Sequence, residues 1–220
     1  FCINVPVLMY HHVEPMDLAK TEGHAQLTVD TSTFEQHLAD LISKGYRIIP
    51  AEELVSSLIN KSNPGKAAVV TLDDGYADAY SYAYPVAKKY SIPLSLFVST
   101  GLMENYGYLT WSQLSEMTAS GLVYTYNHSV SHFSLPSGDI SRIGQEIGEA
   151  SIALESRIGK KQTIFAYPYG SFDDRSIEVL KKNGIQAAFS TIISTLQCDS
   201  YMYSLRRTRI GNAPLSYFGL

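Results

Sequence analysis

Two pairs of polar residues in this sequence have the types and the spacing of a catalytic metal site. Asp73 and Asp74 are adjacent, and His128 and His132 are separated by three residues. If Ser129 opens a helical turn, both imidazoles project from one side of it and can bind a single ion. Two histidines and one aspartate leave open coordination positions, as a catalytic ion requires. The set suits one divalent ion, with Zn²⁺ first and Co²⁺, Ni²⁺ or Fe²⁺ as alternatives.

Each of these residues also has a plain structural interpretation. Asp74 is followed by Gly75, and Asp-Gly is ordinary turn chemistry in which one aspartate caps the next helix. A single histidine at the end of an apolar strand commonly serves as a hydrogen-bonded core residue. Adjacent side chains of an extended segment diverge, so Asp73 and Asp74 are expected to point in different directions. The metal interpretation therefore rests on the aspartates and histidines lying together.

The position of the polar clusters along the chain supports that interpretation. Four of them directly follow apolar segments that are predicted to be strands, at residues 5–10, 67–72, 122–126 and 163–166. The carboxyl ends of parallel strands form the face on which barrels and open α/β sheets assemble their sites. The clusters are Tyr10-His11-His12, Asp73-Asp74-Gly75, Asn127-His128 and Tyr167-Pro168-Tyr169-Gly170.

The rest of the chain alternates short apolar segments with helical periodicity. Capping-box patterns at Ser32 with Glu35 and at Thr110 with Gln113 mark two helix starts. Such alternation predicts parallel strands joined by right-handed crossovers, in one α/β domain over residues 1–220. Seven or eight strands close into a barrel or form an open doubly wound sheet. Further strands are predicted at 47–49, 94–99, 186–190 and 205–210, and helices at 32–45, 52–59, 78–90, 110–119, 140–158 and 174–182.

The composition of the chain argues against some classes of binding partner and of metal site. The net charge of −4 argues against a nucleic-acid-binding protein, which needs a basic face. The short basic pairs Arg206-Arg207 and Lys160-Lys161 are interpreted as solvated surface. No apolar segment is long enough to span a membrane. The two cysteines, Cys2 and Cys198, exclude a cysteine-based zinc site and leave open whether they form a disulfide or stay as thiols.

The chain begins at Phe1 and not at Met. A removed signal peptide is one explanation, and a trimmed sequence is another. The first explanation leads us to expect a secreted, periplasmic or cell-surface protein.

Three motifs together resemble those of the NodB-like polysaccharide deacetylases, which form carbohydrate esterase family 4. Residues 71–75 (Thr-Leu-Asp-Asp-Gly), 127–132 (Asn-His-Ser-Val-Ser-His) and 166–170 (Ala-Tyr-Pro-Tyr-Gly) are similar to the first, second and third family motifs. The resemblance extends from Val5 to Ile210. It implies a single distorted (β/α) barrel of about seven parallel strands. It also implies that Asp73 is the general base and that Asp74, His128 and His132 hold the metal.

Two departures from the family pattern bear on activity. The third motif's arginine, which helps to orient the base, is Ala166 here, and no late Leu-x-His segment carries the catalytic acid. The opening segment, residues 6–13, resembles biofilm poly-β-1,6-N-acetylglucosamine deacetylases, whose acid histidine comes from this part of the chain. The matching residue is His11, and His12 is expected to have no catalytic duty. The alternative for His11 is a histidine that bonds a backbone carbonyl.

The expected function is removal of N-acetyl groups from an N-acetylglucosamine-containing polysaccharide. By resemblance the Tyr169 N–H, beside Pro168, stabilises the oxyanion. Trp111, Tyr169 and tyrosines at the rim are expected to stack on sugar rings, with core packing as an equal alternative for Trp111 at its helix start. One alternative is an inactive metal-binding carbohydrate-binding module on the same fold, which the Ala166 departure makes reasonable. The other is hydrolysis of a non-sugar amide.

Overall fold

Twelve strands and seven helices form the framework of the protein, and the computed structural model describes residues 1–220. The strands are β1 (Cys2–Asn4), β2 (Val7–Tyr10), β3 (His12–Val13), β4 (Thr28–Val29), β5 (Arg47–Ile48), β6 (Ala67–Leu72), β7 (Leu94–Val98), β8 (Val123–Asn127), β9 (Ile164–Ala166), β10 (Ala187–Phe189), β11 (Leu196–Cys198) and β12 (Thr208–Arg209). The helices are α1 (Met16–Glu22), α2 (Thr31–Ser43), α3 (Ala51–Ile59), α4 (Tyr84–Tyr90), α5 (Trp111–Ala119), α6 (Ile140–Ile158) and α7 (Asp174–Lys182). A π-helical segment, Ala79–Ala83, leads into α4.

Seven of the strands form one parallel sheet in the order β10-β9-β8-β7-β6-β2-β12, and β5 pairs with the start of β6. The segment before β12 joins the two edges, because Leu205 N–H donates to Ala188 O at 2.9 Å and Ser190 N–H donates to Leu205 O at 2.7 Å. The sheet therefore curls into a distorted barrel, which confirms the expected fold class and excludes the open doubly wound sheet.

The central strands have apolar side chains on both faces because both faces are covered. Every residue of β6 and of β7 is buried. Side chains on one face, among them Phe97 and Phe189, fill the inside of the curled sheet, and those on the other face pack under the helices. Parallel strands that are buried on both faces have continuous apolar sequences. The positions of these strands could therefore be predicted from the sequence.

One of the two predicted helix caps is correct. Thr110 and Gln113 form the expected capping box at the start of α5. The capping box predicted at Ser32 and Glu35 is wrong, because the Asp30 carboxylate, a strong acceptor, takes the Ser32 N–H at 3.0 Å and caps α2 two residues earlier. Glu35 instead pairs with Lys89 and accepts the Tyr90 hydroxyl at 3.1 Å.

Cys2 and Cys198 form a disulfide, which settles the alternative that the sequence left open. It joins β1 to β11, an antiparallel pair outside the main sheet. None of the helices combines the length and the apolar character needed to cross a membrane.

Loss of the disulfide is expected to destabilise the protein without emptying the site. The crosslink closes a loop with a sequence separation of 196 residues, so its removal frees much conformational entropy in the unfolded chain. We expect the Cys2→Ser, Cys198→Ser double variant to lose roughly 2–4 kcal/mol of unfolding free energy, which calorimetry would register as a Tm lower by about 5–15 °C. A reductant should lower the Tm of the parent and leave that of the variant unchanged. An equal Tm in all samples would contradict this expectation.

Candidate active site

The carboxyl ends of the parallel strands enclose a cavity of about 660 Å³. Most of the polar clusters predicted from the sequence reach it, each from the end of a different strand. Its lining includes His11 after β2, Asp73 and Asp74 after β6, His128 and His132 after β8, and Tyr169 after β9. The architecture thus brings together residues that lie more than 150 positions apart in the chain.

Asp74, His128 and His132 converge on one point. The Oδ1 atom of Asp74 lies 3.2 Å from Nε2 of His128 and 3.2 Å from Nε2 of His132. The Nδ1 atom of His128 donates to the Ala166 carbonyl at 2.8 Å, which fixes the ring and leaves Nε2 for the cavity. Asp74 Oδ1 is buried and has no hydrogen-bond partner. A buried carboxylate oxygen that faces two imidazole nitrogens is suited to share a cation with them.

The expected helical turn at Ser129 is wrong, although the two rings still meet. Residues 128–134 form no helix, and Ser129 has a φ of 70°. The Asn127 Oδ1 atom accepts the Ser129 N–H at 2.8 Å, a local turn that competes with helix formation. The sharp bend brings the ring centroids of His128 and His132 to 5.0 Å.

Glu146 of α6 holds this loop in place of helical hydrogen bonds. Its buried carboxylate accepts the Val130 N–H at 3.0 Å, the Ser131 N–H at 2.9 Å and the Ser131 hydroxyl at 2.7 Å. Nη2 of Arg142, one turn earlier on the same helix, lies 2.6 Å from Glu146 Oε1. The loop that presents His132 is therefore anchored to the body of the protein.

Asp73 points away from the histidines and forms a buried ion pair with Arg207. The Arg207 Nη1 atom donates to Asp73 Oδ1 at 2.7 Å, and the arginine side chain is 0% exposed. Its Nε atom donates to the Ser190 carbonyl at 3.0 Å, and its guanidinium lies over the Phe97 ring. The interpretation of Arg206-Arg207 as solvated surface is wrong for Arg207, because adjacent residues of an extended segment face opposite ways and this one faces the barrel.

Asp73 has a cationic partner although Ala166 stands at the arginine position of the third motif. The Ala166 methyl group is buried inside the barrel and its carbonyl orients His128, while Arg207 supplies a cation to Asp73 from β12's side of the sheet. No local sequence pattern indicates Arg207 as the partner of Asp73, because the two residues are 134 positions apart.

Opposing effects set the protonation of the buried groups. Burial alone would raise the pKa of Asp74, but His128 and His132 outweigh it and hold that pKa well below its ordinary value. Burial lowers the pKa of His128, and Asp74 and Asp73 raise it more, so the net shift is upward. Burial lowers the pKa of His11, and the nearby Asp73 and Asp74 carboxylates only partly compensate.

His11 and His12 lie on opposite sides of the backbone. His11 faces the cavity that holds Asp73 and Asp74. The Nδ1 atom of His12 lies 2.6 Å from Asp78 Oδ2, in a separate cavity. Only His11 is placed to reach a substrate bound at the aspartates.

Tyr169 lies at the cavity mouth and Trp111 does not. Tyr169 is 68% exposed, has a φ of 61° and packs edge-on against His132 at 4.5 Å between ring centroids. Pro168 is buried beneath it and sets the start of this turn without lining the cavity. Trp111 packs on the core under the Arg157 guanidinium at the start of α5 and does not line the cavity, which favours the packing alternative for it.

Comparison of the sequence with protein-family models shows to which family the chain belongs. The family model described as polysaccharide deacetylase matches residues 60–188, more than half of the chain and all three motifs. The chain belongs to the polysaccharide deacetylase family. The resemblance to the NodB-like deacetylases of carbohydrate esterase family 4 is thereby confirmed.

Individual relatives agree with this assignment. The chain is 28% identical over 207 residues to a putative polysaccharide deacetylase of Bacillus subtilis, covering 94% of this chain and 71% of that protein. It is 25% identical over 226 residues to a poly-β-1,6-N-acetyl-D-glucosamine N-deacetylase of Staphylococcus epidermidis, covering 93% and 78%. The structure of the Streptococcus pyogenes deacetylase PplD in complex with acetate is similar with a TM-score of 0.88 and 28% identity, covering 96% of this chain and 93% of that one.

In this polysaccharide deacetylase, two tyrosines absent from the sequence interpretation also line the cavity. Tyr76 and Tyr108 pack against each other with ring centroids 5.1 Å apart. Burial and the Asp74 carboxylate raise the pKa of Tyr76, so its hydroxyl stays protonated and can donate. The position of Tyr76 immediately after Asp73-Asp74-Gly75 was the signal that the sequence offered for it.

Proposed function

We propose that this protein is a metal-dependent N-deacetylase that hydrolyses N-acetyl groups of an N-acetylglucosamine-containing polysaccharide. The observation that carries the proposal is the unpartnered, buried Oδ1 atom of Asp74, which lies 3.2 Å from a nitrogen of each of two histidines. Asp73, held by Arg207, lies at the same cavity. A metal set beside a second, separately held carboxylate is the arrangement that hydrolysis of an amide needs.

Asp74, His128 and His132 would hold one divalent ion. Two imidazoles and one carboxylate suit zinc first, and cobalt, nickel or ferrous iron also fit this donor set. When bound, such a cation supplies Lewis acidity that polarises the acetyl carbonyl and makes water easier to deprotonate. The Ala166 carbonyl supports the set by fixing the ring of His128.

Asp73 is assigned the role of general base. Its carboxylate takes a proton from the attacking water as the new C–O bond forms at the acetyl carbonyl. Arg207 fixes the orientation of this carboxylate through a charge-assisted hydrogen bond from Nη1. Arg207 acts through Asp73 and is therefore a positioning residue.

Two further groups serve the breakdown of the tetrahedral intermediate. The backbone N–H of Tyr169 is assigned the role of stabilising the oxyanion. The next two N–H groups of this turn are occupied, because Gly170 N–H donates to the Tyr167 carbonyl and Ser171 N–H to the Pro168 carbonyl. His11 donates a proton to the sugar nitrogen as the C–N bond breaks. The products are acetate and a free amine on the sugar.

A polymer substrate from outside the cytoplasm is consistent with two features. The cavity is open at its mouth, where the exposed Tyr169 offers a flat ring to a sugar. The Cys2–Cys198 disulfide is typical of proteins that work in an oxidising environment, so we propose a secreted, periplasmic or cell-surface location.

Acetate release from defined substrates tests this function. Oligomers of poly-β-1,6-N-acetylglucosamine, chitin and peptidoglycan, together with a simple non-sugar acetamide, would be incubated with the metal-loaded protein. We expect stoichiometric acetate and free amine from at least one sugar polymer, with the β-1,6-linked oligomer the first choice because of the relative named above. Binding of oligomers without acetate release would favour the carbohydrate-binding module, and release only from the acetamide would favour the non-sugar hydrolase.

The role of His11 predicts an effect that depends on the leaving group. His11→Ala should lower kcat on an N-acetyl sugar by roughly 10²–10⁴-fold while the protein keeps its metal. Because burial lowers the pKa of His11, its protonated fraction declines as pH rises through that lowered value, and the variant should lose this alkaline limb of the pH–rate profile.

An activated aryl acetate separates proton donation from positioning, since its leaving group needs no proton. The loss of rate in His11→Ala should be much smaller on the ester than on the amide. His12→Ala provides the neighbouring control, because His12 faces the other cavity and any loss of rate in this variant should be equal on amide and ester. Equal losses on both substrates would contradict the assignment of His11 as the acid.

A further inference from the structure

We propose that His12, Glu14 and His24 form a second transition-metal site, separate from the active site. They lie on a cavity of about 710 Å³ on the other side of the rim. One potential ligand atom from each residue lies within 4.8 Å of those of the other two. This inference does not depend on the proposed function, because none of the three residues lines the cavity that contains Asp73 and Asp74.

The short β3–β4 pair builds this second cluster. His12 lies in β3, Glu14 follows it, and the Glu14 N–H donates to Val29 O of β4 at 3.3 Å. His24 follows α1, and its backbone carbonyl accepts the Thr28 hydroxyl at 3.0 Å. His12 is 7% exposed and Glu14 is 4% exposed, so the side chains are not free to turn into solvent.

Carboxylates hold the remaining nitrogen of each imidazole. Asp78 Oδ2 lies 2.6 Å from Nδ1 of His12, and its other oxygen accepts the Val13 N–H at 2.9 Å. Glu22 Oε2 lies 3.1 Å from Nε2 of His24. With the proton on these nitrogens, Nε2 of His12 and Nδ1 of His24 each have a lone pair, and a ligand at His24 would replace the contact of its Nδ1 with the Thr28 hydroxyl at 3.2 Å. Histidines that bind metals commonly have their second nitrogen on a carboxylate in this way.

Glu14 resembles Asp74 in the surroundings of its carboxylate. Its buried Oε1 atom has no hydrogen-bond partner and lies 3.2 Å from Nδ1 of His24. A bound cation would satisfy the orphan oxygen and offset the charges of Glu14, Glu22 and Asp78.

The donor set identifies the class of ion. Two imidazole nitrogens and one carboxylate oxygen favour zinc and its neighbours over magnesium or calcium, which prefer oxygen ligands. The ion would tie the β3–β4 segment to the rim. His12 also stacks on Tyr76 at 3.7 Å between centroids, and Tyr76 lines both cavities. The second site would therefore support one wall of the active site.

Metal content per chain tests the proposal directly. The full chain would be loaded with excess Zn²⁺, freed of loose metal on a desalting column and measured by elemental analysis. We expect two zinc ions in the parent, one in Glu14→Gln, one in His24→Ala, one in His132→Ala and none in the His24→Ala, His132→Ala double variant. Glu116→Gln, which removes a carboxylate outside both clusters, should retain two.

Thermal melting gives an independent readout and checks folding. Zinc that binds the folded state raises the Tm. The rise should persist in His132→Ala, which keeps only the second site, and disappear in the double variant. No zinc in folded His132→Ala, or no loss of zinc in both folded Glu14→Gln and folded His24→Ala, would overturn the proposal.

Discussion

Replacing Asp73 with Asn is expected to lower kcat by roughly 10²–10⁴-fold while the protein stays folded and metal-loaded. The variant keeps the shape of the side chain and removes the only carboxylate at the cavity that is not shared with the histidines. Because Asp73 Oδ1 faces Arg207 and not His128 or His132, the metal ligands are untouched. Elemental analysis and acetate release on the same preparation would check both halves of this prediction.

Asp74→Asn provides the matched control at the adjacent position. Asp74 Oδ1 lies 3.2 Å from each metal-facing nitrogen, so the variant should lose metal and, with it, activity. Excess Zn²⁺ should restore part of the activity of Asp74→Asn and none of that of Asp73→Asn. Metal lost from Asp73→Asn and retained in Asp74→Asn would reverse the two assignments.

Removal of Arg207 is expected to lower both stability and kcat. Arg207→Met leaves the Asp73 carboxylate buried without its cation, which costs about 3–5 kcal/mol for a broken buried ion pair. Because Arg207 Nη1 holds Asp73 Oδ1 at 2.7 Å, the variant also loses the orientation of the proposed base. Chemical denaturation should show the loss of stability, and kcat on N-acetylglucosamine oligomers should decrease while KM changes little.

Three comparisons separate this role from simple packing. Arg207→Lys should restore part of the kcat, because it returns a cation to Asp73. Arg206→Met, which changes the neighbouring side chain that lies over Tyr201, should leave kcat unchanged. Adding Asp73→Asn to Arg207→Met should recover stability, because the carboxylate left without its partner is then removed. A kcat of Arg207→Met equal to that of the parent would contradict the account.

The sequence predicted most of the framework because its signals are local. The continuous apolar run of β6 and the caps and periodicity of α5 and α6 each depend on residues within one element. The positions of Asp73, Asp74 and His128 followed from one rule, that polar residues after parallel strands share a face.

The remaining features depend on contacts between distant residues. Arg207 meets Asp73 only because β12 pairs with β2 at the closing edge of the sheet, a contact without any local pattern. The loop after the bend at Ser129 is held by Glu146 in α6, which accepts the N–H groups of Val130 and Ser131, and a helical spacing was the wrong model for it. The pair β3 and β4 consists of two residues each, too short for a periodic signal, and it creates the cluster around Glu14.

The dependence of acetate release on metal at Asp74, His128 and His132 tests the central claim most directly. The protein would be stripped with a chelator, shown by elemental analysis to be metal-free, and assayed on N-acetylglucosamine oligomers before and after addition of one divalent metal at a time. The same series in His24→Ala restricts the result to the active-site cavity. The account predicts no acetate from the stripped protein and recovery with Zn²⁺, Co²⁺ or Ni²⁺ in both proteins. Full activity in the metal-free sample would contradict it.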